Sequence, residues 1–302
     1  MNRRELFRLS TAMGLSAALP AIGNAAQSKA PPAASRAASP LLPPAEGSIP
    51  VAFLVSDQAV LIDFTGPWEV FDNVSVAGRA DGPIFQLYTV AASTDPVKAS
   101  GGMTIVPDYS FANAPAPKLI VIPAQSARDE ATLAWIRQAS QGADLTMSVC
   151  TGAFVLARTG LLAGKAATTH HSAYKEFAMQ YPDIQLKRGA RFVEAGKFAS
   201  AGGLSSGIDL ALRVVERYFG REVARNTAYV LEYQGQGWLN PDSNQVYAHA
   251  ARSTSAHPLC PVCEMEAAKV AALSSVYRKH TYYFCMEAHK QMFDANPLAY
   301  LE

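Results

Sequence analysis

The stretch Leu145-Thr-Met-Ser-Val-Cys150-Thr-Gly-Ala-Phe-Val-Leu-Ala157 predicts both the fold and a first candidate site. An apolar strand ends at Cys150, and an apolar helix begins directly behind it. A nucleophile on such a turn needs small neighbours, here Ser148 and Gly152, because the backbone must bend without clashes. The helix N-terminus stabilises a thiolate and lowers its pKa, while amides of the turn can hold an oxyanion. The pattern predicts a cysteine nucleophile, although a buried, inert cysteine fits the same spacing.

Further apolar runs of strand length lie on both sides of this stretch, with helical periods between them. Strands are predicted at 51–55, 86–90, 119–122 and 145–149, and helices at 68–74, 129–141 and 206–219. This alternation predicts an α/β fold with a parallel sheet, whose ligands bind beyond the C-terminal ends of the strands.

Length and composition restrict the class of protein. The 302 residues are 49% hydrophobic and 17% charged, which suits a full core in one large or two unequal domains. The net charge of +1 provides no basic field, so no nucleic-acid partner is predicted. No apolar run reaches the ~18–20 residues of a spanning helix, so no membrane span is predicted.

The first residues have the pattern of an export signal. Arg3 and Arg4 precede the Ala-rich apolar stretch 9–22, and small residues follow at 23–26. This resembles a twin-arginine signal peptide over 1–26 and predicts a periplasmic protein that is exported in folded form. A short basic amphipathic N-terminus is the alternative.

Composition shifts divide the rest of the chain. Residues 27–48 are rich in Ala, Pro and Ser and are predicted as a tether. A first domain is predicted at 49–237, a polar linker at 238–256 and a tail at 257–302. The tail is too short to form a comfortable apolar core of its own.

Five motifs in order resemble the ThiJ/PfpI superfamily, in the branch of the isonitrile hydratases and the amidotransferase-like domains of AraC-type regulators. They are Asp63-Phe-Thr-Gly-Pro-Trp-Glu-Val-Phe71, Ser148-Val-Cys-Thr-Gly-Ala-Phe154, Gly160-Leu-Leu-Ala-Gly164, Ala167-Thr-Thr-His170 and Gly207-Ile-Asp-Leu-Ala-Leu212. The resemblance implies a flavodoxin-like three-layer sandwich with a parallel sheet, usually a homodimer, that needs no cofactor in this domain.

The same resemblance assigns roles to residues. Cys150 matches the reactive cysteine, and Asp63 matches the acid that hydrogen-bonds its thiol. Thr151 matches the residue after the cysteine in the hydratase branch, and His170 matches a histidine near the cysteine in several branches. Residues of the substrate or oxyanion pocket are expected at Gly66, Ala124, Gln125 and Gly152. The chain has Ala124 and Gln125 where relatives often have a glycine pair, and Thr151 rather than His disfavours the protease-like branch.

The tail carries a second candidate site. Cys260-Pro-Val-Cys263 brings two thiolates to one ion, and Cys285 and His289, four residues apart, share a helix face. Three sulfurs and one nitrogen fill a tetrahedral shell, which predicts zinc, with Cu(I) also accepted, in a structural or sensing site. A disulfide among these cysteines is the alternative outside the cytoplasm.

The surroundings of these cysteines resemble a YHS domain, a small treble-clef-like metal-binding module, over 257–302. Cys263 and Cys285 match its motif cysteines. Cys260 stands where Asp is common and His289 where Cys is common, and both replacements still supply metal ligands.

Together these features predict an exported cysteine-dependent hydratase or lyase that acts on a small electrophile such as an isonitrile. Cys150 would attack carbon, Asp63 would move the proton, and Thr151 with nearby amides would orient substrate or water. Two alternatives stay open: glyoxalase-like action on 2-oxoaldehydes with His170 as base, and a non-catalytic redox or ligand sensor with a metal-handling tail. The expected partners are a small-molecule substrate and a metal ion.

Overall fold

The computed structural model describes residues 39–79, 82–249 and 253–301. The predicted signal peptide, 1–26, and most of the predicted tether lie outside the described residues. The end of the tether is described and packs on the first domain, since the Leu41 N–H donates to the carbonyl of Arg217 at 2.9 Å. In the described part of the chain, no helix is both long and apolar enough to cross a membrane.

Thirteen strands and seven helices follow one another along the described chain. The strands are β1 (Ile49–Leu54), β2 (Phe85–Ala91), β3 (Val97–Lys98), β4 (Thr104–Ile105), β5 (Tyr109–Ser110), β6 (Leu119–Ile122), β7 (Leu145–Val149), β8 (Ala166–Ala167), β9 (Gln185–Leu186), β10 (Phe192–Ala195), β11 (Phe198–Ala201), β12 (Ser274–Tyr277) and β13 (His280–Tyr283). The helices are α1 (Leu61–Asp72), α2 (Glu130–Gly142), α3 (Gly152–Arg158), α4 (Tyr174–Gln180), α5 (Ser206–Phe219), α6 (Arg221–Val230) and α7 (Glu287–Ala295).

A seven-stranded sheet in the order β10-β11-β7-β6-β1-β2-β5 forms the centre of the first domain. Every neighbouring pair is parallel except β10 and β11 at one edge. Alternate residues of β1 serve the two faces: Val51 and Phe53 pack in the core under α1 and α5, and Ala52 and Leu54 in the core under α2 and α3. The predicted three-layer α/β sandwich is confirmed.

The helix predicted at 68–74 is wrong at its start, because α1 begins at Leu61 and runs through Pro67. Gly66 and Pro67 are typical helix breakers, and proline removes one backbone hydrogen bond. Packing outweighs this cost, since a Cβ on Gly66 would lie 2.9 Å from Cγ1 of Ile208 on α5. Asp63 therefore lies in the first turn of α1, a helix that packs closely against α5.

The tail has its own small core, built around the buried side chains of Cys260, Cys263, Phe284 and Phe293. The chain turns at the two cysteines, where Leu259 bridges to Glu266, and continues into the antiparallel pair of β12 and β13 and then α7.

The first half of the predicted linker packs on the first domain. Trp238 is buried, and its backbone N–H donates to Oδ1 of buried Asp209 at 2.8 Å. Asp209 also forms an ion pair with Arg191, which reaches Asn244 Oδ1 at 3.3 Å. The residues up to Asn244 are thus fixed by a buried polar network.

Candidate active site and metal centre

Cys150 lies on a tight turn between β7 and α3. Its φ is 59°, a left-handed conformation that non-glycine residues adopt rarely and that recurs at functional sites. The turn is held because the Cys150 N–H donates to the carbonyl of Gly202 at 2.8 Å. Gly152 is the residue that permits it, since a Cβ there would lie 2.2 Å from the carbonyl oxygen of Ile122. The geometry is that of a nucleophile elbow.

Asp63 is fully buried beside this turn. Its Oδ2 accepts a hydrogen bond from the Ala124 N–H at 3.1 Å. Its Oδ1 is buried without a hydrogen-bond partner among the described residues, and Cys150 is the side chain that affects the pKa of the carboxyl. Burial raises the pKa of Asp63 from 3.8 to about 6. The Ala124 N–H and the Cys150 thiol lower this pKa, but their effects are smaller than that of burial.

The thiol of Cys150 is protonated at neutral pH, which corrects the expectation of a lowered pKa. Burial, and then the charge of Asp63, raise its pKa to about 12. The backbone N–H groups of Thr151 and Leu204 and the Thr151 hydroxyl act in the opposite direction and are outweighed. With these two pKa values the pair carries one proton between about pH 6 and pH 12, on the Cys150 sulfur.

His170 lies at the edge of this site. Its Nδ1 accepts from the Ser172 N–H at 3.3 Å and lies 2.7 Å from the Ser172 hydroxyl. Within the described ranges no hydrogen bond joins the ring to Cys150. Burial, followed by the neighbouring His171, lowers the pKa of His170. The ring approaches Gly203 so closely that a Cβ there would lie 2.3 Å from its Cδ2.

A cavity of about 210 Å³ opens next to the elbow. His170, Tyr174 and Leu204 are among its lining residues, and the Leu204 N–H is one of the groups that lower the pKa of Cys150. Asn244 and Tyr247 close it from the predicted linker, and Tyr247 stacks on His171 with ring centroids 4.9 Å apart. Leu204, Asn244 and Tyr247 were not predicted from the sequence, because these contacts join distant parts of the chain.

The four predicted pocket residues have different positions in the structure. Gly66 packs α1 on α5, and Gly152 allows the elbow to approach β6. The N–H of Ala124 is already engaged by Asp63, so it is not free for an oxyanion in this state. Gln125 donates from Nε2 to the carbonyl of Leu54 at 3.3 Å, and its Oε1 is buried without a partner in the described structure.

The four predicted ligands of the tail come together. One ligand atom from each of Cys260, Cys263, Cys285 and His289 lies within 4.8 Å of every other. His289 presents Nδ1 to the sulfurs, at 3.2 Å from Cys285 and 3.8 Å from Cys260. Cys260 and Cys263 are fully buried. This arrangement of three sulfurs and one nitrogen can hold one tetrahedral metal ion.

The thiols of this cluster shift one another's pKa values in opposite directions. Hydrogen bonding to Cys260, together with burial, raises the pKa of Cys263, and burial raises the pKa of Cys285 to about 11. The pKa of Cys260 is lowered, chiefly because it accepts a hydrogen bond from Cys263. A bound metal ion is the group that would stabilise all three sulfurs as thiolates.

Fold and site together define an α/β sandwich with a buried cysteine at a strand-to-helix elbow beside a buried carboxyl group. Residues 50–217 match the DJ-1/PfpI family, and the chain belongs to this family.

Two curated relatives represent different functions within it. Isonitrile hydratase of Pseudomonas putida is 32% identical over 191 residues, which are 62% of this chain and 79% of that protein. The HTH-type transcriptional regulator GbdR of Pseudomonas aeruginosa is 27% identical over 190 residues, 61% of this chain and 50% of the regulator. The chain thus matches only about half of the regulator.

Solved structures agree with the fold. A ThiJ/PfpI family protein from Pseudomonas syringae superimposes with a TM-score of 0.56 at 26% identity, over 63% of this chain and 77% of that one. DJ-1beta of Drosophila melanogaster superimposes with a TM-score of 0.52 at 19% identity, over 63% of this chain and all of that one.

Proposed function

We propose that the protein is a cysteine-dependent hydratase that converts a small isonitrile to an N-substituted formamide and acts outside the cytoplasm. The observation that carries this proposal is Cys150 on a strand-to-helix elbow, with a φ of 59°, beside the fully buried carboxyl group of Asp63. The similarity to isonitrile hydratase of Pseudomonas putida supports the choice of substrate class.

The chemistry needs one proton that leaves sulfur and reaches carbon. As Cys150 Sγ attacks the terminal isonitrile carbon, Asp63 takes the thiol proton and delivers it to that carbon, which gives a thioimidate. Water then adds to the thioimidate carbon, and Asp63 takes one proton from the water and passes it to the imine nitrogen, which leaves a hydroxyl group on carbon. The adduct collapses to the formamide, the carbon–sulfur bond breaks, and the proton returns to sulfur. One water molecule is consumed, and no oxidant or reductant is required.

Two features of the site disfavour the two alternatives. A redox sensor uses a low-pKa thiolate, whereas burial and the charge of Asp63 raise the pKa of Cys150 to about 12. Glyoxalase-like action would use His170 as base, yet in the described residues its ring bonds to Ser172 and not to Cys150. Asp63 is buried beside the elbow and its pKa responds to the Cys150 thiol, so we propose it as the base.

We further propose that the tail binds zinc at Cys260, Cys263, Cys285 and His289. Zinc suits a closed set of three sulfurs and one nitrogen, and soft thiolates also accept Cu(I). Four protein ligands leave no open position, so the ion would stabilise or sense rather than catalyse.

Replacement of Cys150 by alanine tests the first proposal. We expect turnover of an alkyl isonitrile to fall by on the order of 10³-fold or more, because the covalent route is lost. In the parent enzyme, rapid quenching followed by intact mass spectrometry should reveal an adduct equal in mass to the whole isonitrile. Formamide production by a folded Cys150→Ala protein at the parent rate, or by neither protein, would reject the proposal.

The pH profile tests the role of Asp63 as the base. We expect kcat/KM to be flat from about pH 6 to pH 9 and to fall about tenfold per pH unit below 6, where Asp63 becomes protonated and cannot take the thiol proton. Initial rates in buffers of constant ionic strength provide the measurement. A rate that rises steadily from pH 7 to 9 would instead indicate a titrating free thiolate.

A further inference from the structure

His289 has a second polar partner, which comes from the first domain. While Nδ1 faces the three sulfurs, Nε2 lies 3.6 Å from Oε2 of Glu176 on α4. Both side chains are largely withdrawn from solvent, with 8% and 14% of their surfaces exposed. Glu176 Oε1 accepts from Gln180, whereas Oε2 is buried without a hydrogen-bond partner in the part of the chain that is described.

The unpaired oxygen of Glu176 lies where a metal-bound histidine needs an acceptor. A histidine that binds a metal through Nδ1 carries its proton on Nε2, and metal-bound histidines usually donate that proton to a carboxylate or carbonyl. Such a partner fixes the tautomer and ring orientation and makes the ligand more basic. A Glu176 carboxylate also places a negative charge near the site, which favours a cation.

The neighbouring side chain on α4, Lys175, contacts the turn that carries the first two cysteines of the cluster. Lys175 Nζ donates to the carbonyl of Pro261, between the first two cysteines, at 2.9 Å. Glu264, directly after the second of these cysteines, lies 3.7 Å from Lys175 Nζ and 3.8 Å from Arg188 Nη1. The first domain therefore contacts both the turn that carries two cysteines and the helix that carries the histidine.

We infer that the metal site is completed across the domain boundary, with Glu176 as a positioning residue for His289. The inference rests on the proposed metal binding at the tail. Because Glu176 meets His289 only when the tail is docked on α4, docking tightens metal binding, and metal binding tightens docking by the same factor. The metal centre thus stabilises the contact between the tail and the first domain when the ion is bound.

The test compares metal affinity among full-length variants. Zn²⁺ binding is measured by competition with a chromophoric chelator, and Co²⁺ is used as a spectroscopic probe of the bound ion. We expect Glu176→Ala to weaken Zn²⁺ binding by about 10–100-fold and to alter the d–d bands of Co²⁺, which respond to the histidine ligand. Glu176→Gln should lose less, because its amide oxygen still accepts the Nε2 proton.

Glu287→Gln is the matched control. Glu287 lies two residues before His289 on the exposed side of α7, where its contact is with Gln291. The same loss of charge there should change the affinity by less than about twofold. Glu176→Ala affinity equal to that of Glu287→Gln would overturn the inference, as would equal losses in Glu176→Ala and Glu176→Gln, which would indicate charge alone. If the parent protein binds neither ion, the proposed metal function itself fails, and the inference with it.

Discussion

Asp63→Asn is expected to abolish most turnover and, at the same time, to make the folded protein more stable above pH 6. Turnover should fall by roughly 10²–10⁴-fold, because an amide cannot take and return the thiol proton. The gain in stability follows from the buried charge. A pKa of about 6 in the folded protein against 3.8 as the ordinary value means that ionised Asp63 opposes folding. At about 1.4 kcal/mol per pKa unit, the cost at pH 8 is about 3 kcal/mol.

The size of this effect changes with pH in a defined window. The folded pKa is raised, so the stability that protonated Asp63 contributes is fully present below pH 3.8 and is lost as the pH rises through about 6. Asp63→Asn should therefore raise the melting temperature at pH 8, by roughly 6–12 °C for a domain of this size, and change it little at pH 4. The amide that replaces the carboxyl can still accept the Ala124 N–H through its oxygen, which keeps the comparison clean.

Asp72→Asn is the control, because Asp72 lies on the same helix and is exposed. Melting curves of both variants and the parent at the two pH values complete the measurement. If the Asp63→Asn protein melts at or below the parent temperature at pH 8, the ionised carboxylate does not destabilise the folded protein, and the prediction is wrong. Near-normal turnover in that variant would move the proton transfer elsewhere, with His170 the next group to examine.

Local patterns in the sequence were enough to predict the centre of the fold. The strands β6 and β7 and the helix α5 were predicted with correct ends, because each is a sharply bounded run with one dominant period. The elbow at Cys150 was predictable for the same reason, since strand, small neighbours and helix are contiguous. These signals do not depend on distant parts of the chain.

Properties that depend on distant contacts were missed or predicted with the wrong sign. The start of α1 depends on the packing of Gly66 against Ile208, which no local rule supplies. The pKa of Cys150 was expected to fall because of the helix behind it, yet burial and a carboxyl group 87 positions earlier, Asp63, decide the outcome. The contact between Glu176 and His289 likewise joins residues 113 positions apart. Such effects become visible only once the chain is folded.

Removal of the metal is expected to unfold the tail while the central sheet keeps its structure. The tail's own core consists of a few side chains around the cysteines, which is little apolar area for a module of this length. Structural zinc contributes about 10–16 kcal/mol in zinc-finger peptides at neutral pH, so most of the folding free energy would come from the ion. Hydrogen exchange, followed by mass spectrometry before and after treatment with a chelator under reducing conditions, measures the effect separately for each segment.

We expect β12, β13 and α7 to lose their protection on chelation, and β6 and β7 to keep theirs, because the core of the sheet does not include the tail. The ion pairs of Glu264 with Lys175 and Arg188 should not hold the apo tail in place, since partly exposed pairs contribute at most about 1 kcal/mol each. Re-addition of Zn²⁺ should restore protection, which separates metal loss from chemical damage. Full protection of the tail after chelation would contradict this prediction. So would a purified protein that holds less than about a tenth of an equivalent of metal and has a disulfide among Cys260, Cys263 and Cys285. Either result would favour the disulfide alternative.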